Sequence, residues 1–162
     1  MHIRYNRDVK KKKSTPGRIL NRRAKFDYQL GDSFVVGIVL NGRETKSLRQ
    51  GHAHLRGAYV TVKENELWLT NATVASGKTF VIPEEEQTQA RKLLAHRKEI
   101  DTMIKAKQQG NTLVPTEFLT GSRHIKLRVN IGRGKKRYDK RDTIKQRDQM
   151  RDANADMKRA RS

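Results

Sequence analysis

Ser33-Phe34-Val35-Val36-Gly37-Ile38-Val39-Leu40 is the most apolar and β-branched run in the chain. Such side chains suit a pleated, half-buried surface, so the run reads as the central strand of a β domain. Gly37 inside it predicts a bulge or sharp bend, as small barrels need at their corners. Upstream, Phe26-Asp27-Tyr28-Gln29-Leu30 alternates with period two and reads as another strand, with Gly31-Asp32 as the turn between them. Downstream, Asn41-Gly42 ends the central strand. Glu44 to Gln50 then reads as a short helix stopped by Gly51. Glu44 sits in its first turn, where negative charge suits the helix dipole. Leu48 is the inward anchor. Lys46 and Arg49, three apart, share a face close to Arg43.

Working further along the chain, Ala58-Tyr59-Val60-Thr61-Val62 and Glu66-Leu67-Trp68-Leu69-Thr70 form a hairpin turned by Glu64-Asn65. Trp68 faces opposite to Leu67 and Leu69, and packing is its expected role rather than base stacking. Lys78 to Ile82 reads as a short strand. Pro83 and Glu84-Glu85-Glu86 then open a long helix expected to reach Gln109. Its apolar face is Leu93, Leu94, Ile100, Met103 and Ile104. Thr112-Leu113-Val114-Pro115 and Glu117-Phe118-Leu119 read as a strand pair or one interrupted strand, with Pro115 at an edge or bulge. In the last strand Ile125, Leu127, Val129 and Ile131 point inward, while Lys126 and Arg128 point out. The pattern predicts a mainly β fold with embedded helices, an OB-like antiparallel Greek-key barrel over residues 20–132. Basic arms at 1–19 and 133–162 flank it, and Lys10 to Lys13 form an unbroken lysine run.

Charge narrows the function. The 162 residues carry 37 Lys and Arg against 17 Asp and Glu, a net charge of +20, which points to nucleic acid as the partner. The hydrophobic fraction of 34% leaves room for one modest core. No apolar run approaches the ~18 residues that span a membrane. Neither a signal-peptide core nor a cysteine is present, so a cytoplasmic home without disulfides is expected. A monomer, one per RNA, is a separate expectation. His52 and His54 lack further metal ligands, and no metal or cofactor is expected. Gly132-x-Gly134 lacks the third glycine of a dinucleotide site and reads as a flexible exit from the core. No nucleophile is paired with a base, so catalysis is not expected. A basic nuclease or a general ribosomal or cold-shock-like RNA binder remain the alternatives, the latter short of aromatics at 6%.

The C-terminal arm, Gly132-Arg-Gly-Lys-Lys-Arg-Tyr-Asp-Lys-Arg-Asp-Thr-Ile-Lys-Gln-Arg-Asp148, is dense in Lys and Arg with Asp between them. Tyr138, Ile144, Met150 and Met157 make no continuous apolar stripe. The arm is expected to be disordered alone and to become helical on a polyanionic surface, because most of its residues favour helix. A solvated tail that only adds charge is the plainer reading.

Several stretches go further. Leu20-Asn21-Arg22-Arg23-Ala24 is followed by Gly37-Ile38-Val39-Leu40-x-Gly42-x-Glu44-x-Lys46-Ser47-Leu48-Arg49-x-Gly51. Then come Arg91-Lys92-Leu93-Leu94, Glu99-Ile100, Thr112-Leu113-Val114-Pro115 and Gly134-Lys135-Lys136-x-Tyr138-Asp139-Lys140-Arg141. In this order they resemble the SsrA-binding protein family (small protein B). The resemblance implies an OB-like barrel that binds transfer-messenger RNA, through its tRNA-like part, and delivers it to ribosomes stalled on messages lacking a stop codon. It implies RNA contacts by Asn21, Arg22, Arg23, Lys25, Glu44, Lys46, Arg49 and Leu93. It also implies that Gly134, Lys135, Lys136, Tyr138, Asp139, Lys140, Arg141, Ile144, Lys145 and Arg147 enter the decoding centre and the message channel of the small ribosomal subunit. Thr45, Asn130 and Gly132 stand where the family usually has Val, Gly and Ala. The stretch between Asn71 and Gln89 is shorter than usual and lacks the family's aromatic-Asn-His segment.

Overall fold

The computed structural model describes residues 17–161. The lysine run therefore lies outside the described residues. The chain starts with β1 (Arg18–Leu20) and a single helical turn, α1 (Ala24–Asp27). β2 (Tyr28–Ile38) is one long strand. The turn expected at Gly31-Asp32 is instead a β-bulge, where the pairing slips between Leu30 and Ser33. A bulge inserts an extra residue and bends a strand without ending it. Gly37, by contrast, stays in register, opposite Leu94 and Lys126. It is small for another reason: a Cβ there would lie 3.3 Å from the Leu94 Cβ.

α2 (Gly42–Arg49) follows, capped by Asn41, whose side chain accepts from the Glu44 amide at 2.9 Å. β3 (Ala53–His54) pairs with β6 (Thr73–Val74) in a small separate sheet. Between them stands the hairpin of β4 (Tyr59–Lys63) and β5 (Glu66–Thr70). Its turn residues Glu64 and Asn65 both have positive φ, 52° and 58°, the left-handed twist that tight hairpins require. Leu67 and Leu69 are fully buried. Trp68, on the opposite face, is half-buried and paired with Lys92.

The expected long helix is three elements. α3 (Glu84–Gln87) is one turn, β7 (Arg91–Leu94) is a strand between β5 and β2, and α4 (Arg97–Gln108) is the helix proper. The tertiary pairing of Leu93 with Leu67 and of Gly37 with Leu94 overrides the helical spacing of the apolar residues. Lys78 to Ile82 forms no strand. β8 (Thr112–Leu119) is continuous, with its bulge between Pro115 and Glu117. β9 (Lys126–Gly134) leads to α5 (Arg137–Ala160).

The main sheet runs β1-β8-β4-β5-β7-β2-β9, and β9 also pairs with β8, so the sheet curls round on itself. The β4–β8 seam is a single pair, Val60 with Leu113, which leaves the OB-like barrel partly open there. Phe118, Leu48, Leu55, Leu67, Leu69, Leu93, Met103 and Leu127 fill the interior. Gly132 belongs to this packing rather than to a loose exit. It pairs with Leu30, and a Cβ would sit 3.1 Å from Val114 Cγ2. No helix among the described residues is long and apolar enough to cross a membrane.

α5 buries none of its residues. Leu69 is fully buried in the barrel, and Leu69→Ala should cost about 2–5 kcal/mol in urea unfolding followed by Trp68 fluorescence. Deleting residues 137–162 should shift stability by no more than about 1 kcal/mol, the value of one exposed ion pair. A large loss on deletion would show that the barrel leans on the tail.

Candidate nucleic-acid interface

A single buried ion pair organises the α2 side of the barrel. The Arg91 side chain is 2% exposed and that of Glu44 3%, and Arg91 Nε lies 2.8 Å from Glu44 Oε1. Arg91 also donates through Nη1 to the carbonyls of Ala72 and Gln89, and through Nη2 to those of Glu86 and Gln87. All five guanidinium N–H groups are thus used. Glu44 Oε1 additionally accepts from Gln89 Nε2, and Oε2 accepts from the Asn41 amide. Glu44 is therefore a scaffold residue. The RNA contact implied for it does not fit a carboxylate turned into the protein and fully bonded there. Leu93 is likewise internal, at 2% exposure, where β7 turns it toward Leu67.

Arg49 stands on the surface, but its guanidinium is occupied. Nη1 donates to Thr120 O at 3.0 Å, and Nη2 to Ser122 O at 3.2 Å and Arg123 O at 2.8 Å. It ties α2 to the loop between β8 and β9. Lys46 Nζ lies 5.3 Å from the centre of the Phe80 ring. Phe80 in turn is held over Gly77, where a Cβ would come within 2.3 Å of the ring. The shortened stretch after Asn71 is thus fastened back onto α2.

Asn21, Arg22, Arg23 and Lys25 do come together, around α1. The Asn21 amide donates to Thr116 O at 2.8 Å, and its Nδ2 to Pro115 O at 2.9 Å, at the β8 bulge. This anchor leaves Arg22, Arg23 and Lys25 exposed. Two half-open hollows flank it. One, of about 430 Å³, is lined by Arg18, Leu20, Arg22, Lys25, Glu117 and Arg128. In it Arg128 Nε lies 2.7 Å from Glu117 Oε1 yet makes no aligned hydrogen bond, so this is a charge contact only. The other, of about 360 Å³, includes Arg23, Asp27, Tyr28, Tyr59 and Lys107. Tyr59 is 44% exposed beside these cations, an arrangement that suits an unpaired base with its phosphate.

A third surface escaped the sequence reading. Val35, Leu94 and Lys126 come from three neighbouring strands and line one hollow with His96 and Glu99. Val35 and Leu94 are exposed apolar residues next to a basic one, and only strand register brings them together. Leu94, not Leu93, is the leucine of β7 that a partner can reach.

The tail residues lie on α5 or its approach. Gly134 ends β9, and Lys135 and Lys136 form the link. The Lys136 amide donates to Asp139 Oδ2 at 3.2 Å, capping the first turn. Tyr138 and Ile144 are 60% and 45% exposed, and Arg141, Lys145 and Arg147 face solvent. Among the described residues no cluster of His, Asp and Glu has metal-site geometry, His52 and His54 included.

Glu44→Gln should destabilise the barrel by about 3–5 kcal/mol in urea, because it strands a buried guanidinium. Glu44→Gln with Arg91→Met should recover only part of that loss, because the carbonyls of Ala72, Glu86, Gln87 and Gln89 lose their donor. A single mutant as stable as the parent would show that the buried pair does not hold α2 to β7.

The known proteins agree with this architecture. The family model for SmpB protein matches residues 18–159. SsrA-binding proteins of Halalkalibacterium halodurans and Oleidesulfovibrio alaskensis are 36% and 38% identical, over 89% and 92% of this chain and 96% and 98% of their own. That of Roseiflexus sp. is 42% identical over 82% of this chain and 85% of its own. A chain solved in "tmRNA-SmpB: a journey to the center of the bacterial ribosome" superposes with a TM-score of 0.63 at 32% identity, covering 79% of this chain and 94% of that one. With a model match over most of its length and relatives above 30% identity, this chain belongs to the SmpB protein family.

Proposed function

We propose that the protein is a noncatalytic RNA-binding adaptor of ribosome rescue. It binds transfer-messenger RNA on the barrel and delivers it to stalled ribosomes in the cytoplasm. The observation that carries this reading is the pairing of two parts. A folded barrel presents the exposed Arg22, Arg23 and Lys25 beside base-sized hollows. From it extends a 24-residue helix rich in Lys and Arg that buries nothing. At 1.5 Å per residue that helix is about 36 Å long, enough to thread an RNA-walled channel. Cations exposed along it exchange small counterions for phosphate. The relatives named as SsrA-binding proteins, and the solved relative described with tmRNA and the bacterial ribosome, support the choice of RNA.

The two parts have separate duties under this reading. The barrel selects the RNA, one protein per RNA. The segment from Gly134 to Arg147 meets small-subunit RNA at the decoding centre and in the empty message channel. The tail needs RNA to hold its distal turns. Asp142, Asp148, Asp152 and Asp156 leave its charge pairs nearly balanced, and exposed pairs contribute only a few tenths of a kcal/mol each. Isolated helices also begin with a costly nucleus.

Gln146→Pro separates the duties. Gln146 is exposed in the middle of α5, where proline costs about 3 kcal/mol. Transfer-messenger RNA affinity should stay at the parental value while tagging of stalled chains is lost. Retained tagging would rule out a continuous helix as the working form. Cleavage of the bound RNA by the pure protein would overturn the noncatalytic reading.

A further inference from the structure

α5 leaves the barrel with no apolar seat, yet its root is not loose. Lys135 is pinned twice: its amide donates to Asp27 O at 2.9 Å, and its Nζ to Lys25 O at 2.9 Å. One turn further on, Lys140 Nζ lies 3.3 Å from Asp27 Oδ1. Arg23 Nε approaches the other carboxylate oxygen of Asp27 at 3.4 Å. Both cations also lie near the Phe26 ring, Arg23 Cζ 5.7 Å and Lys140 Nζ 5.9 Å from its centre. Every one of these contacts converges on α1, a helix of one turn.

We propose that Asp27 is a positioning residue for the tail: through Lys140 it sets the direction in which α5 leaves the barrel. The reasoning starts from the link. Between the last residue of β9, Gly134, and the first of α5, Arg137, stand only Lys135 and Lys136. Gly134 is still paired with Tyr28, and Lys135 is held by backbone bonds. The remaining freedom is rotation about Lys136. A single contact beyond that residue removes it, and Lys140–Asp27 is that contact. Asp27 is partly sheltered, with a side chain 29% exposed, so its charge acts at short range on the two cations beside it.

This rests on the proposed function and deepens it. A barrel holding one RNA and a helix destined for another must present both at a fixed angle. Fixing the angle beforehand raises the effective concentration of the tail at its channel. An ionic anchor does this without apolar burial, and phosphate can outbid it once the helix has arrived. Fixing the first turn also supplies the nucleus that an isolated helix lacks. The basic arm is therefore a rooted helix whose distal turns project, not a wholly free chain.

The absence of cysteine makes the test direct. Spin labels on the full-length protein at Lys63→Cys in β4 and Asp142→Cys in the anchored part of α5 report the direction in which the tail leaves the barrel. The parent should give one narrow distribution, which widens with added salt as ionic contacts are screened. Asp27→Asn should be broad at all salt concentrations, and Asp27→Lys with Lys140→Glu should be narrow again. Urea midpoints should be unchanged throughout. Because Asp27 also pairs with Arg23 and lines the hollow beside Tyr59, tagging is read at saturating transfer-messenger RNA, where the yield of Asp27→Asn should fall about fivefold, the scale of one exposed ion pair. A distribution as narrow in Asp27→Asn as in the parent, or no recovery in the charge swap, would overturn the proposal. Failure of the parent to bind transfer-messenger RNA would instead overturn the functional reading, and the distance result would still decide the role of Asp27.

Discussion

The Glu44–Arg91 pair is the constraint on which the middle of this molecule depends. A guanidinium with all its donors satisfied joins α2 to β7 and draws in the carbonyls of Ala72, Glu86, Gln87 and Gln89. Burying two charges costs several kcal/mol per ion, and only full hydrogen bonding offsets it. Such a pair need not raise stability over an apolar substitute. What it does is admit one arrangement: the chain after Gln87 must bring Arg91 to Glu44. From there only an extended β7 can place Leu93 inside and Leu94 outside.

That non-local demand explains where the sequence could be read and where it could not. The β4–β5 hairpin is local. Its alternation and its Glu64-Asn65 turn lie within a dozen residues, and the structure follows them. The inward face of β9 is equally plain, with Leu127 and Val129 fully buried. The helix expected from Glu84 to Gln109 failed because its apolar spacing also fits a strand followed by a helix. The choice is made by partners on β5, β2 and α2. Gly31-Asp32 failed for a similar reason, since a turn and a bulge draw on the same residues and only pairing with β9 tells them apart.

The candidate site divides along the same line. Asn21, Arg22, Arg23 and Lys25 form one short run around one helical turn, so adjacency in sequence becomes adjacency in space. The resemblance points to Glu44 and Leu93 by residue type alone and says nothing of where their side chains turn. Orientation is settled by a partner 47 positions away for one and by strand pairing for the other. The Val35, Leu94 and Lys126 surface had no signal in the sequence, because three strands contribute one residue each.

Net charge is a poor guide to which cations meet RNA. Many basic groups here are already engaged: Arg91 inside, Arg49 on loop carbonyls, Lys92 with Glu66 at 2.8 Å, Arg97 with Asp101 at 2.9 Å and Arg128 with Glu117. A cation that must leave such a partner to bind phosphate returns only the difference between two similar contacts. A cation facing water gives up only its hydration and releases counterions from the RNA. Among the described residues Arg22, Lys25 and Lys126 are of the second kind, as are Arg141 and Lys145 on α5. The folded barrel uses several of its basic groups to hold its own loops, and those that still face water include Arg22 and Lys25 at α1, Lys126 at the start of β9 and the run along the tail. Lys140 stands between the two classes, bound to Asp27 at a site where phosphate can replace the carboxylate. The anchor that aims the helix is thus made of the same chemistry that its RNA partner would supply.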